Sequence, residues 1–170
     1  MKVKIVQAES EEQIQQARDL FTEYAEWVMR HEDVDPEFVR RVFTYQGLQQ
    51  ELAELPGKYV PPDGRLLRAN QDAETAGCVA LRKIDRGICE MKRMWVRPGF
   101  RGKGVGRALA ETVIDEARKI GYTQMRLDTG KFMKEAPALY RSLGFKGIEP
   151  YYEISNEMRK MMDFMELSLQ

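Results

Sequence analysis

Residues 89–121 read CEMKRMWVRPGFRGKGVGRALAETVIDEARKIG, and the rest of the chain is best understood from this stretch outward. An apolar-rich run, Ile88–Val96, stops just before Pro98. A glycine-dense turn follows, with Gly99, Gly102, Gly104 and Gly106, and an amphipathic run then continues to Gly121. That order predicts strand, tight turn, helix. Glycines at alternate positions leave the backbone N–H groups of 102–106 uncovered where the helix begins. Those groups lack intrahelical partners and carry the positive end of the macrodipole, so the turn is suited to an anion. Arg101, Lys103 and Arg107 surround it with full charges. A phosphate or pyrophosphate is the ligand these donors suit.

Two familiar phosphate motifs are excluded. From Gly99 a Walker loop requires Gly-Lys-Ser/Thr at 104–106, where the chain has Gly-Val-Gly. A dinucleotide fingerprint starting at Gly102 requires a third glycine at 107, which is Arg107. What remains is Arg101-x-x-Gly104-x-Gly106 directly after a strand.

Composition narrows the class. Of 170 residues 43% are hydrophobic and 32% charged, which is ordinary for one globular domain, expected over residues 1–170. Lys+Arg and Asp+Glu balance at 27 each, so no electrostatic case exists for nucleic acid or a membrane surface. No apolar run reaches the ~20 residues of a membrane span, and the N-terminus does not read as a signal peptide. A cytoplasmic location is expected. One histidine and two cysteines make no zinc-like cluster, and no metal is expected. With Ile84 facing Ile88 across a hairpin, Cys78 pairs with Met94 and Cys89 with Lys83, so the thiols are not partners.

In chain order, Val3–Ala8 is a short strand. Ser10 caps a helix whose apolar face runs from Ile14 to Val28 and which ends at His31; no role is assigned to that histidine. Asp35-Pro36 opens a second helical stretch that keeps its period through Leu48, Leu52 and Leu55 to Pro56-Gly57, before an irregular loop. Strands follow at 65–69, 77–84 and 88–96, joined by short turns and hence antiparallel. Alternation puts Glu90, Lys92, Met94 and Val96 on one face unless a bulge shifts the parity. After the glycine turn and its helix, Gln124–Thr129 is a strand in a parallel crossover. A helix with Ala136, Leu139, Tyr140 and Leu143 on one face ends at Gly144. Strands at 147–152 and 164–169 close the chain, with a loop or single helical turn over 155–162.

The segment ending Met94-Trp95-Val96-Arg97-Pro98, followed by Arg101-x-x-Gly104-x-Gly106, resembles the acetyl-coenzyme A motif of the GNAT superfamily of N-acetyltransferases. Ala136-x-x-Leu139-Tyr140-x-x-Leu143-Gly144-Phe145 resembles that family's second signature, and the element order matches along essentially the whole chain. The resemblance implies an α/β fold: a central, twisted, mostly antiparallel seven-stranded sheet flanked by helices, with the fourth and fifth strands splayed. It implies acetyl-CoA as acyl donor, with Met94, Trp95 and Val96 along the pantetheine arm and Arg101, Gly102, Lys103, Gly104, Val105, Gly106 and Arg107 at the pyrophosphate. Met133 stands where the family often carries an asparagine, so no cofactor contact is expected from that loop.

The implied reaction is direct transfer of acetyl to an amine in a ternary complex, without a covalent enzyme intermediate. The acceptor is a small-molecule or peptide amine, and a homodimer is left open. Tyr140 matches the family's general acid, or is a core aromatic on its helix stripe. Glu90 stands where several members hold a carboxylate base, or is an exposed strand glutamate. Asp128 is the runner-up for base or for holding a cationic acceptor. A backbone N–H near Trp95 or Val96 is placed to polarise the thioester carbonyl. Phe43, Tyr45 and Tyr59, with Glu90 and Asp128 at the pocket floor, are expected to receive the acceptor. That set favours compact polyamine-like or amino-sugar amines over carboxylate-rich ones. A non-catalytic acyl-CoA sensor and a protein-interaction module are the alternatives.

Overall fold

The computed structural model describes residues 2–170. Seven strands form one sheet in the order β1-β2-β3-β4-β5-β7-β6. They are β1 (Val3–Gln7), β2 (Arg65–Gln71), β3 (Glu74–Asp85), β4 (Ile88–Val96), β5 (Gln124–Gly130), β6 (Lys146–Ile148) and β7 (Met162–Ser168). Only β4 and β5 pair in parallel, because a helix returns the chain between them; every other pairing is antiparallel.

That return helix, α4 (Val105–Ile120), covers one face of the sheet. It buries Val105, Leu109, Ala110, Val113, Ile114 and Ala117 against Val79, Leu81, Met91 and Leu127. Helix α1 (Glu11–Met29) covers the other face with Ala17, Leu20 and Phe21 against Leu66, Cys78 and Trp95. Ser10 and Gln13 cap α1 reciprocally, each side chain accepting the other's backbone N–H at 3.1 Å.

The second helical stretch is not continuous. Helix α2 (Pro36–Gln46) ends at Gly47, whose left-handed backbone (φ 72°) breaks the ladder, and α3 (Leu48–Glu54) restarts from it. The apolar period survives the break, which is why it reads as one helix. Helices α2 and α6 (Asn156–Met161) bring Phe38, Val42 and Met158 to a third apolar cluster beside Phe164 of β7. Helix α5 (Glu135–Ser142) begins close enough to Pro137 to hold that residue in its first turn.

Two expectations on the strands fail. Cys78 pairs with Trp95, not Met94, because the register slips between Cys78 and Ala80; Cys89 does pair with Lys83. The slip coincides with Arg93, a non-glycine residue at φ 57°. This is a β-bulge, the parity shift that alternation had left open. Both thiols are free and buried. Strand β6 stops at Ile148 rather than 152, and Tyr151 and Tyr152 turn inward instead of continuing the ladder.

Candidate active site

The bulge positions the site. Strands β4 and β5 pair only at Ile88–Gln124, Cys89–Met125 and Glu90–Arg126; beyond Glu90 they separate. A bulge bends its strand and increases its twist, so the half of β4 after Lys92 leaves its neighbour. Two hollows open in the gap. An outer groove runs from the end of β4 across the glycine turn, and an inner cavity lies behind it. They share walls at Tyr24, Met94, Phe132, Met133 and Ala136.

The outer groove encloses about 530 Å³ and is walled by 94–96, Arg101, Gly102 and 104–107. Lys103 is off its wall, with its ammonium 5.7 Å from the Phe100 ring centroid. Gly104 is the helix N-cap at φ 84° and offers no side-chain cap. Among the described residues, the N–H groups of 102–107 meet no protein acceptor. A Cβ at Gly104 would have no protein atom within 4 Å, so that approach is open from outside. Six uncommitted N–H groups at the start of a 16-residue helix fit a pyrophosphate. Arg107 is tied by its Nη2 to Ser142 Oγ (2.7 Å), which joins α4 to α5.

On the opposite lip Trp27 and Trp95 pack at 5.4 Å, and the Arg101 guanidinium lies over both rings at 5.3 and 4.9 Å. Arg101 Nε also donates to the Val96 carbonyl at 3.1 Å. His31, set aside in the sequence, lies on this wall with its ring 4.7 Å from Phe132. Met133 and Lys134 line the groove as well.

The inner cavity encloses about 90 Å³, room for several water-sized groups. Tyr140, Asp128 and Phe43 line it. Tyr140 is 5% exposed, and its hydroxyl has no protein hydrogen-bond partner among the described residues. Burial, with the nearby Tyr24 and Asp128, pushes its pKa well above the usual phenol value, so it stays protonated. Asp128 accepts a 2.7 Å bond from the Tyr152 hydroxyl at Oδ2.

Glu90 is neither on the cavity wall nor exposed. It is 1% accessible, accepting from Arg82 Nε at 2.7 Å and from the Tyr151 hydroxyl at 2.6 Å. Burial alone would raise its pKa. The Lys92 and Arg82 charges, with the bonds from Tyr151 and Arg82, outweigh that and hold it below the usual carboxylate range. Tyr59 is fully buried away from the cavity, donating to Glu51 Oε1 at 2.7 Å. Tyr45 is 57% exposed on the outer surface, stacked on Tyr152 at 6.2 Å and bonded to the Glu153 carbonyl. Of the expected acceptor residues, only Phe43 and Asp128 come together.

A model of the Acetyltransferase (GNAT) family matches residues 14–145. An uncharacterized N-acetyltransferase of Dictyostelium discoideum is 30% identical over the full length of both chains. The chain belongs to the GNAT acetyltransferase family. An uncharacterized N-acetyltransferase of Schizosaccharomyces pombe is 45% identical over 64% of this chain and 68% of its own. The PaiA N-acetyltransferase of Thermoplasma acidophilum, solved with coenzyme A, shares the fold at TM-score 0.68 and 18% identity, over 99% of each chain.

As a GNAT acetyltransferase the protein draws its acyl group from acetyl-CoA, and the groove with its free N–H groups is where this chain can hold that donor. The sequence reading gave no role to the polar cavity residues Tyr24, Gln46, Lys92, Arg93 and Thr129. Tyr24 reads as a core position of the first helix, and Gln46 as the end of the second. For Lys92-Arg93, two adjacent cations in a strand that otherwise alternates was an available signal. Both line the cavity at the bulge, where Arg93 takes a left-handed backbone. Among the described residues no helix is long and apolar enough to cross a membrane, and no cluster could hold a metal ion.

Proposed function

We propose that this GNAT acetyltransferase acetylates the amine of a small acceptor held in the inner cavity, with Tyr140 as general acid and Asp128 as base. One observation carries the reading: the groove that suits the donor shares its walls with a cavity containing a protonated, unpartnered tyrosine and a carboxylate. When bound, acetyl-CoA supplies a thioester carbon open to a neutral amine. An alkyl ammonium has a pKa of ~10.4, so a proton must leave it before attack. Asp128 takes that proton, either directly or through water; the Tyr152 hydroxyl, bonded to Oδ2, supports this by fixing the carboxylate. Met94–Val96, released from β5 but still paired with β3 at Trp95 and Val96, turns its unpaired edge to the donor arm, with the Val96 carbonyl already held by Arg101 Nε. Tyr140 then donates to the departing sulfur. A thiol of pKa ~8.5 is a good leaving group, so a hydrogen bond from a phenol held in its neutral form is enough.

Glu90 ranks second as base, because both its oxygens are engaged and its proton affinity is lowered. The cavity volume favours a small molecule over a folded protein surface. The test is thiol release from acetyl-CoA across amine classes, with Asp128→Asn and Glu90→Gln beside the wild type. Asp128→Asn is expected to lose ~10²-fold or more in kcat/KM. Full activity in Asp128→Asn with loss in Glu90→Gln would reverse the assignment. Binding of acetyl-CoA without thiol release for any amine would favour a sensor.

A further inference from the structure

The inner cavity has two cations on its wall, and both retain donors that the protein does not use. Arg93 is 7% exposed. Its Nε donates to Glu51 Oε2 at 2.8 Å and its Nη1 to Gln46 Oε1 at 3.0 Å, while its Nη2 is buried with no partner. Lys92 is beside it, its side chain 10% exposed, with Nζ 3.9 Å from the nearest carboxylate oxygen, Glu90 Oε1. That separation is too long for a hydrogen bond. Of the carboxylates whose charges act on this pair, Asp128 shares the cavity, and Glu51 and Glu90 are committed elsewhere. Glu51 also receives Tyr59 and Lys58, and Glu90 receives Arg82 and Tyr151.

A buried guanidinium donor without an acceptor is costly, on the scale of 1–3 kcal/mol, more for a charged group. A strained, left-handed backbone that presents it makes an accidental placement expensive twice over. A ligand bearing only an amine would leave Arg93 Nη2 unsatisfied and add positive charge beside two cations. A carboxylate satisfies both donors. Across the same cavity, Asp128 and Tyr140 suit an amine that must lose its proton and attack. The remaining wall is mostly apolar, with Val28, Val39, Val42 and Met162 among it and Gln46 and Thr129 as its polar members.

We infer that the acceptor is an aminocarboxylate: its carboxylate is held by Arg93 and Lys92, its amine faces Asp128 and the donor groove, and a compact apolar body lies against the valines. This rests on the acetyl-transfer reading and replaces the polyamine-like acceptor that the aromatic and acidic residues alone suggest. It also makes Lys92 and Arg93 residues that determine which amine is chosen.

The experiment uses the full chain with saturating acetyl-CoA. The proteinogenic amino acids are each compared with their amides and their decarboxylated amines, with spermidine and glucosamine alongside. In parallel, calorimetry of the CoA-bound protein measures binding of the same compounds without turnover. For the preferred side chain, wild type is expected to favour the acid over its amide by at least tenfold in kcat/KM and in affinity. Lys92→Gln and Arg93→Lys should each bring that ratio to within about threefold, by raising KM for the acid while leaving KM for the amide nearly unchanged. Amides, amines, spermidine or glucosamine used as well as every acid by wild type would overturn the inference while leaving acetyl transfer standing. A preference for acids that persists in both variants would equally overturn the assignment to this pair. Since the wild-type comparison needs no variant, a folding failure in Arg93→Lys does not remove the test. Release of thiol from none of these amines would remove the acetyl-transfer reading together with the inference.

Discussion

Tyr140→Phe separates the catalytic reading of this tyrosine from the packing one. The ring packs against Phe145 at 5.7 Å, and phenylalanine keeps that contact. The hydroxyl makes no protein hydrogen bond among the described residues and is not sealed from the cavity, so its removal breaks none. A hydroxyl that water can reach carries little of the roughly 1–3 kcal/mol penalty of a sealed, unpaired one. The variant should therefore be as stable as wild type or about 1 kcal/mol more stable. Turnover should move the other way. A positioned acid contributes about 10²- to 10⁴-fold, or roughly 3–5 kcal/mol of barrier. With the donor proposed to lie along the glycine turn, its dissociation constant should change less than threefold. Urea unfolding, calorimetry with coenzyme A and steady-state thiol release on one preparation give all three numbers. The pH profile adds a sign. Because burial raises the phenol pKa above 10, Tyr140 stays protonated through pH 6–10 and contributes no alkaline loss of rate in that window. Wild-type turnover in Tyr140→Phe would return the residue to the core. Destabilisation by several kcal/mol would show that the hydroxyl had a partner in the fold.

Gly104→Val should weaken acetyl-CoA binding at least tenfold by calorimetry in a folded protein: at φ 84° a β-branched residue is strained, and its Cβ would stand where the phosphate must approach. Unchanged affinity would remove the turn as the anion site. Glu90→Gln should cost about 3 kcal/mol at pH 7 in urea unfolding, because it leaves Arg82 and Lys92 beside a neutral amide. Its pH dependence follows from the lowered carboxyl pKa. The stabilisation is present above the ordinary value of 4.5 and is lost as pH falls through the lower folded-state value, so the variant should lose less stability than wild type below pH 4.5. Parallel acid limbs in the two proteins would contradict that linkage.

The element order, the family and the glycine turn were legible because each rests on local rules. A glycine with φ above zero, a helix without a side-chain cap and a proline closing a strand are recorded within a few consecutive residues, as at Pro98–Gly106. Ser10 with Gln13, and Asp35 with Pro36, mark helix starts for the same reason. The break at Gly47 was missed because the apolar period continues across it: α2 and α3 both bury their apolar residues, and periodicity alone does not record a change of direction. The acceptor site was the least legible part. Tyr45 and Tyr59 sit in an aromatic-rich stretch, yet one faces solvent and the other is sealed against Glu51, since side-chain direction depends on how α3 and its loop pack on the sheet. Glu90 and Asp128 receive hydroxyls from Tyr151 and Tyr152, which lie 61 and 24 residues away in sequence. Sequence determined the fold, the family and the uncapped glycine turn, because short-range backbone sterics and hydrogen bonding fix them. Only tertiary structure decided which charges line the inner cavity: one left-handed residue, Arg93, redirects half of β4, and strand parity cannot be followed through a bulge whose place is set by packing on both sides of the sheet.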